Sequence, residues 1–215
     1  MNRGFRLVLS LIFYCLTGVG VSLTIRAGIG VSSFNSLNVA LAEGLNLTVG
    51  WVTAAMNGGF LLVTILLDRS RRPARYLLQA VAVLCLGRVI DFFTYGVFAR
   101  LNPAGYPERV LLFVLGTALG GASSGAVLGL ETMAFPIEAS CQLVARRMGR
   151  PFRRVRFALD VIFVAGSVAL SISLGLPFFV REGTLISLML LAPSIGFAKR
   201  CCDRMLARAA AAQAQ

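Results

Sequence analysis

The chain has 215 residues, 57% of them hydrophobic and 14% charged, with a mean hydropathy of +0.80 and a formal net charge of +12. An ordinary soluble domain is about 45–50% apolar and about 25% charged, so this composition points away from a soluble fold and toward the bilayer. The basic residues lie between apolar runs and few aromatics accompany them, which argues against a nucleic-acid partner. Histidine is absent, and with it go His metal sites, His proton relays and Ser-His or Cys-His nucleophiles. Lys199 is the only lysine and no phosphate-binding loop precedes it, so neither an enzyme nor a nucleotide-driven motor is expected, and no cofactor is implied.

Leu7–Ile25 is an apolar run of 19 residues behind a short basic start. It is longer than a signal-peptide core, and Ile25-Arg26-Ala27-Gly28 is a poor cleavage site, so it reads as the first transmembrane helix. Gly28 and Gly30 break that helix, and Ser32 or Ser33 can cap a new one. Phe34, Leu37, Leu41 and Leu45 then form an amphipathic stripe over about 12 residues, too short to span. This hinge segment, 28–48, lies on the surface or dips into the membrane as a re-entrant element. Val49–Leu67 is the second span, Asp68–Arg75 an Arg-rich loop and Tyr76–Ala99 the third span. Val110–Leu130 is the fourth, where Gly116, Gly120, Gly121 and Gly125 permit close helix packing, within one chain or across a homodimer. A second hinge segment, 131–156, follows. Phe157–Leu176 is the fifth span and Thr184–Ala198, interrupted by Pro193, the sixth. Lys199–Gln215 reads as a basic, frayed tail. The five cysteines include no CxxC and read as small buried hydrophobes, with a lipid on adjacent Cys201 and Cys202 as the alternative.

Charge sets the orientation. With the N-terminus inside and six crossings, the inner segments hold sixteen basic residues and the outer ones four: Arg26, Arg100, Arg109 and Arg181. That bias predicts cytoplasmic N- and C-termini in a bacterial inner membrane. The two hinge segments pair at a spacing of 103 residues: Phe34 with Ile137, Leu41 with Val144, Leu45 with Met148, Asn35 with Glu138, and beyond them Asn57 with Asp160. Leu37 meets Ser140, the one break in the stripe. The fold class expected is therefore all-α and polytopic, with two three-helix repeats, 1–103 and 104–198. An odd number of crossings per repeat makes the repeats inverted, a common transporter plan with the site near the midplane.

The run GVGVSLTIRAGIG at 18–30, followed by Ser32-Ser33-Phe34-Asn35-Ser36-Leu37, resembles the opening of the bacterial YczE/YitT-like membrane proteins. So do GRVID at 87–91, Glu182-Gly183-Thr184 and Ala192-Pro193. The resemblance spans most of 10–198. It implies a five- or six-helix inner-membrane protein and brings no catalytic or binding residues with it.

The candidate solute-binding or coupling residues are the polar groups inside apolar runs. Arg88 lies 12 residues beyond Tyr76, roughly 18 Å along a helix and near mid-bilayer. Asp91 shares its face at i, i+3, and Tyr95 continues that face. A charge at that depth is costly unless paired or wetted. Arg88 would bind an anionic group, with Asp91 holding Arg88 or taking a coupling ion, or the two would form a structural ion pair. Glu131 and Glu138 flank the kink at Pro136 and are candidate proton or cation sites, or counter-charges to the nearby arginines. Asn35, Asn57 and Asp160 complete the set, with Asp160 one turn from Arg156 and able to pair with it. The arginines at 146–156 otherwise read as topology determinants and anionic-lipid contacts. The expected function is a secondary transporter of a small solute, anionic in the Arg88 reading. The alternatives are a solute-binding subunit with a separate energising partner, and a non-transporting membrane regulator.

Overall fold

The computed structural model describes residues 3–68 and 73–213. Arg69, Arg71 and Arg72 of the expected loop lie outside the described residues. The described chain is all-helical, and six of its helices are long and apolar enough to cross a membrane. It is a polytopic membrane protein. The helices are α1 (Arg3–Ala27), α2 (Ser33–Leu45), α3 (Val49–Leu67), α4 (Pro73–Asp91), α5 (Tyr106–Leu130), α6 (Pro136–Met148), α7 (Phe152–Leu174) and α8 (Glu182–Gln213). A π-helical stretch, Phe92–Val97, prolongs α4. The short helices α2 and α6, each 13 residues, are the two hinge segments.

These bounds follow from local chemistry. α1 stops where Gly28 adopts φ +68, a conformation that side chains resist. α3 has the bounds expected from the sequence because Thr48 and Asp68, both in extended conformation, flank it. α8 departs from expectation. Pro193 lies inside a continuous helix, and the basic, Ala-rich stretch beyond it is helical through Gln213. Proline removes one backbone donor, yet the residues that follow propagate the helix, alanine having the highest helix propensity and Lys199 pairing with Asp203 at 3.0 Å.

The local geometry of the hinge segments recurs at the 103-residue spacing. α2 starts at Ser33 and α6 at Pro136; α2 ends at Leu45 and α6 at Met148. Asn46 and Gly149 close them in the left-handed conformation, at φ 54 and φ 60. The N–H of Leu47 reaches the Ala42 carbonyl at 2.9 Å, and that of Arg150 reaches the Ala145 carbonyl at 3.0 Å. All of these partners stand 103 residues apart. This is the αL-terminated helix end, made once with asparagine and once with glycine.

Packing repeats the pattern. α2 lies against α7 and α6 against α3, so each short helix packs on the long helix that follows the other one. α5 runs between α1 and α8, and α1 also meets α4. The α1–α5 crossing is tight enough that a Cβ on Gly20 would come 2.6 Å from the Gly116 carbonyl oxygen. Gly121 and Gly125 face α8 in the same way. The close packing that the α5 glycines permit is thus made inside the chain, against α1 on one face and α8 on the other.

Each loop that enters a short helix is tied to distant helices. Thr184 Oγ1 donates to the Val31 carbonyl at 2.7 Å, and the Gly183 N–H donates to the Ile29 carbonyl at 2.8 Å. On the other side Arg6 bonds the Leu130 carbonyl, Ser10 bonds Thr132, and Gln79 Nε2 donates to the Ala134 carbonyl at 3.0 Å. Both short helices are therefore presented on firmly held backbone. Between them the core gathers Tyr14, Val39, Val52, Leu86, Ile90, Phe135, Ile137 and Phe163.

Candidate functional site

A cavity of about 580 Å³ lies where the N-terminal turns of α2 and α6 meet α1, α3, α4, α5, α7 and α8. Ser33, Phe34 and Asn35 enter it from α2, and Ile137, Glu138 and Gln142 from α6. Thr53 and Asn57 come from α3, and Arg156 and Asp160 from α7. Three of these pairs stand 103 residues apart: Asn35 with Glu138, Thr53 with Arg156, and Asn57 with Asp160. The first half contributes an amide or hydroxyl at each position. The second contributes a charge at each.

The charged side is only partly satisfied. Arg156 Nη2 stands 3.4 Å from Asp160 Oδ1, which also accepts a hydrogen bond from Ser33 Oγ at 2.5 Å. Arg156 Nη1 and Glu138 Oε2 are both buried with no hydrogen-bond partner among the described residues, and so is Thr117 Oγ1 on the α5 wall. An orphaned buried polar atom costs about 1–3 kcal/mol, more when charged, so such atoms in one cavity ask for a partner from outside the chain. Glu138 belongs to none of the six long helices. Burial pushes its carboxyl above the ordinary range, the Arg156 guanidinium and its own backbone N–H pull it back, and Asp160 pushes it up again. The neutral partners are better settled: Asn57 Nδ2 donates to the Thr53 carbonyl at 2.9 Å.

The helix ends add to this. Neither Ser32 nor Phe135, the residues preceding α2 and α6, makes a side-chain cap. The first intrahelical donors are Ser36, to the Ser32 carbonyl at 2.8 Å, and Ala139, to the Phe135 carbonyl at 3.0 Å. The N–H groups before them have no helical partner, and a helix N-terminus carries about half a positive charge. Two such termini at one cavity make an environment that favours acceptors and negative charge. The rest of the wall is apolar, with Phe34, Phe113, Phe135, Leu86, Ile90 and Leu191 on it.

Of the residues picked out from the sequence, Asn35, Asn57, Glu138 and Asp160 share this cavity. Glu131 does not. It closes α5 in the left-handed conformation, exposed, its N–H reaching the Leu128 carbonyl at 3.3 Å. Arg88, Asp91 and Tyr95 also lie elsewhere. Asp91 accepts hydrogen bonds from Thr48 Oγ1 at 2.6 Å and the Gly50 N–H at 2.7 Å, and Tyr95 Oη accepts from the Val49 N–H at 3.3 Å. The two acceptors together cap the start of α3. Arg88 is exposed and sits over the Trp51 ring, 4.8 Å from its centroid, level with the first turn of α3 rather than its middle. No ion pair joins it to Asp91 among the described residues. Sequence reasoning passed over Thr53 and Gln142, took Ser33 as a helix cap, and took Arg156 as a partner of Asp160 and a topology determinant. The repeat spacing is the signal that reaches two of them, because it pairs Thr53 with Arg156.

Among curated proteins, the chain is similar to Uncharacterized protein YyaS of Bacillus subtilis (strain 168), 26% identical over 148 residues, which covers 69% of this chain and 71% of that one. No solved structure matches it. Over residues 4–200 the chain matches DUF6198, and it belongs to that family of unknown function.

Proposed function

We propose that the protein is a secondary transporter of a small solute, built from two inverted repeats (1–103 and 104–198) that alternate access to the central cavity, and that it is not an enzyme. The observation that carries this reading is the cavity itself. Three register-matched polar pairs line it, two short helices without side-chain caps enter it, and two of its lining residues, Glu138 and Arg156, keep a buried polar atom without a partner among the described residues. Short helices whose N-termini address a central site at a repeat interface are a recurrent transporter arrangement. Support for the repeats comes from the recurrence of helix bounds, terminal hydrogen bonds and helix partners at the 103-residue spacing. The sixteen-to-four charge bias supports cytoplasmic termini in a bacterial inner membrane. Kinship with the YczE/YitT-like proteins, suggested by the 18–37 run, is part of the same proposal.

The test uses a background with the five native cysteines replaced and Asn57→Cys introduced in the cavity. Sealed vesicles of defined orientation are treated with a membrane-impermeant maleimide from one side or the other. Labelling of the Asn57→Cys protein from both sides is expected for alternating access. Labelling from one side alone, whatever the solute added, refutes transport and leaves a binding or regulatory protein.

A further inference from the structure

The charges at the cavity identify what it takes. Arg156 and Asp160 are paired and cancel. The uncapped ends of α2 and α6 each add about half a positive charge. The remaining variable is Glu138. When it is protonated, the cavity is net positive and is lined by the Arg156 guanidinium, whose Nη1 is buried without a partner among the described residues. When it is ionised, its charge offsets both helix ends, and Oε2 stands as a buried acceptor with nothing to accept from. An anion is therefore favoured in the first state and loses that attraction in the second. The wall beside these groups is apolar and aromatic, through Phe34, Phe113, Phe135, Leu86 and Ile90, and would cover a hydrocarbon body.

We propose that the cavity binds an organic monocarboxylate with an apolar body, its carboxylate at the Arg156 guanidinium and the end of α2, and that Glu138 binds the proton that enters with it. This rests on the transport reading and deepens it to proton-coupled carboxylate transport. The step is a binding equilibrium: one proton moves from water to a Glu138 carboxylate oxygen, and one anion fills the cavity. The charged groups around Glu138 are Arg156 and Asp160 on α7. α2 and α3 present the uncharged Ser33, Asn35, Thr53 and Asn57, and α1 adds the phenol of Tyr14. Among these groups, Glu138 is the carboxyl that keeps a buried oxygen, Oε2, without a partner.

The experiment is calorimetric binding to the purified full chain in detergent, between about pH 5 and about pH 8, with benzoate, hexanoate and cyclohexanecarboxylate as probes. For a ligand linked to one proton, affinity strengthens as pH falls, by up to about tenfold per pH unit. Glu138→Gln, fixed in the uncharged form, should bind with an affinity that does not vary with pH. Arg156→Gln should lose binding. The wild-type pH profile and Glu138→Gln keep the test decisive if Arg156→Gln fails to fold. A flat wild-type profile, or a Glu138→Gln protein that keeps the slope, overturns the proton assignment. Binding of benzylamine that strengthens as pH rises, or no binding of any of the three carboxylates, overturns the carboxylate assignment. If the Asn57→Cys protein is still labelled from both sides in that last case, transport stands and this inference alone falls.

Discussion

Two regions of the molecule carry an arginine and an aspartate on one helix face, Arg88 with Asp91 on α4 and Arg156 with Asp160 on α7, and they do opposite things. Asp91 takes Thr48 Oγ1 and the Gly50 N–H and so caps α3, while Arg88 lies outward over Trp51. Those contacts engage both Asp91 oxygens within the chain. Asp160 holds Arg156 through one nitrogen and leaves Nη1 buried and unpaired, in the same cavity as an equally unpaired Glu138 Oε2. Depth along an apolar helix therefore does not separate structural from functional charge. Unspent hydrogen-bonding capacity in residues that line a cavity is what marks the proposed site.

The largest expected effect breaks the first region without touching the second. A Cβ on Gly50 would stand 2.0 Å from the Gly87 carbonyl oxygen and 2.6 Å from the Asp91 carboxylate, so α3 and α4 cannot keep their crossing. Gly50→Ala should cost about 3 kcal/mol, the upper range for overpacking, and lower the melting temperature sharply. Its control is Gly58→Ala on the same helix, where an added Cβ meets no atom within 4 Å. That change should be neutral or stabilise by up to about 1 kcal/mol, since alanine suits a helix better than glycine. Equal melting temperatures for the two variants would mean that the α3–α4 contact is not what holds this end.

Much of this architecture is legible from residue order alone. α3 emerges with its bounds because polar Thr48 and Asp68 bracket an unbroken apolar run, and α2 and α6 because their stripes repeat at one spacing. α8 misleads because Pro193 reads as a break within the span and the stretch after Ala198 as a frayed tail, whereas helix propensity on both sides carries the chain through. At the site, the spacing argument reaches Asn35, Asn57, Glu138 and Asp160, all of which line the cavity. Hydropathy cannot tell which side of a spanning helix faces lipid and which faces a cavity, and that is where Arg88 and Arg156 part. Nor can it show that Asp91 is already engaged by the first turn of a neighbouring helix. Those facts depend on how α3 crosses α4 and α7 receives α2, which are properties of packing.

A subtler test sharpens the second region through its pH dependence. The folded-state carboxyl of Glu138 is raised above its unfolded value, so the native chain binds that proton more tightly than the unfolded chain does. Stability is therefore lost as pH climbs from the ordinary glutamate value of about 4.3 toward the raised folded value, and the penalty is complete above it. Glu138→Gln removes this term. Its melting temperature should match wild type at acid pH and exceed it at alkaline pH, with the gap opening between. Melting curves of both proteins across pH measure it, and the difference between them cancels the other carboxylates. A gap of constant size, or of opposite sign, would mean that Glu138 is ionised and settled in the native state.

The smallest expected effect separates the two arginines. Arg88 is exposed and lies over the Trp51 ring, a cation–π contact worth about 0.5–1 kcal/mol at such a site. Arg88→Ala should lower stability by no more than that, and Trp51→Leu should remove most of the same increment, because the two changes delete one interaction. Carboxylate binding in the cavity should be unchanged in Arg88→Ala and lost in Arg156→Gln. If Arg88→Ala instead abolished binding, the saturation of its neighbour Asp91 by α3 would not be enough to exclude the α4 face from function. The site would then have to extend from the cavity to the start of α3, where Asp91 already holds Gly50.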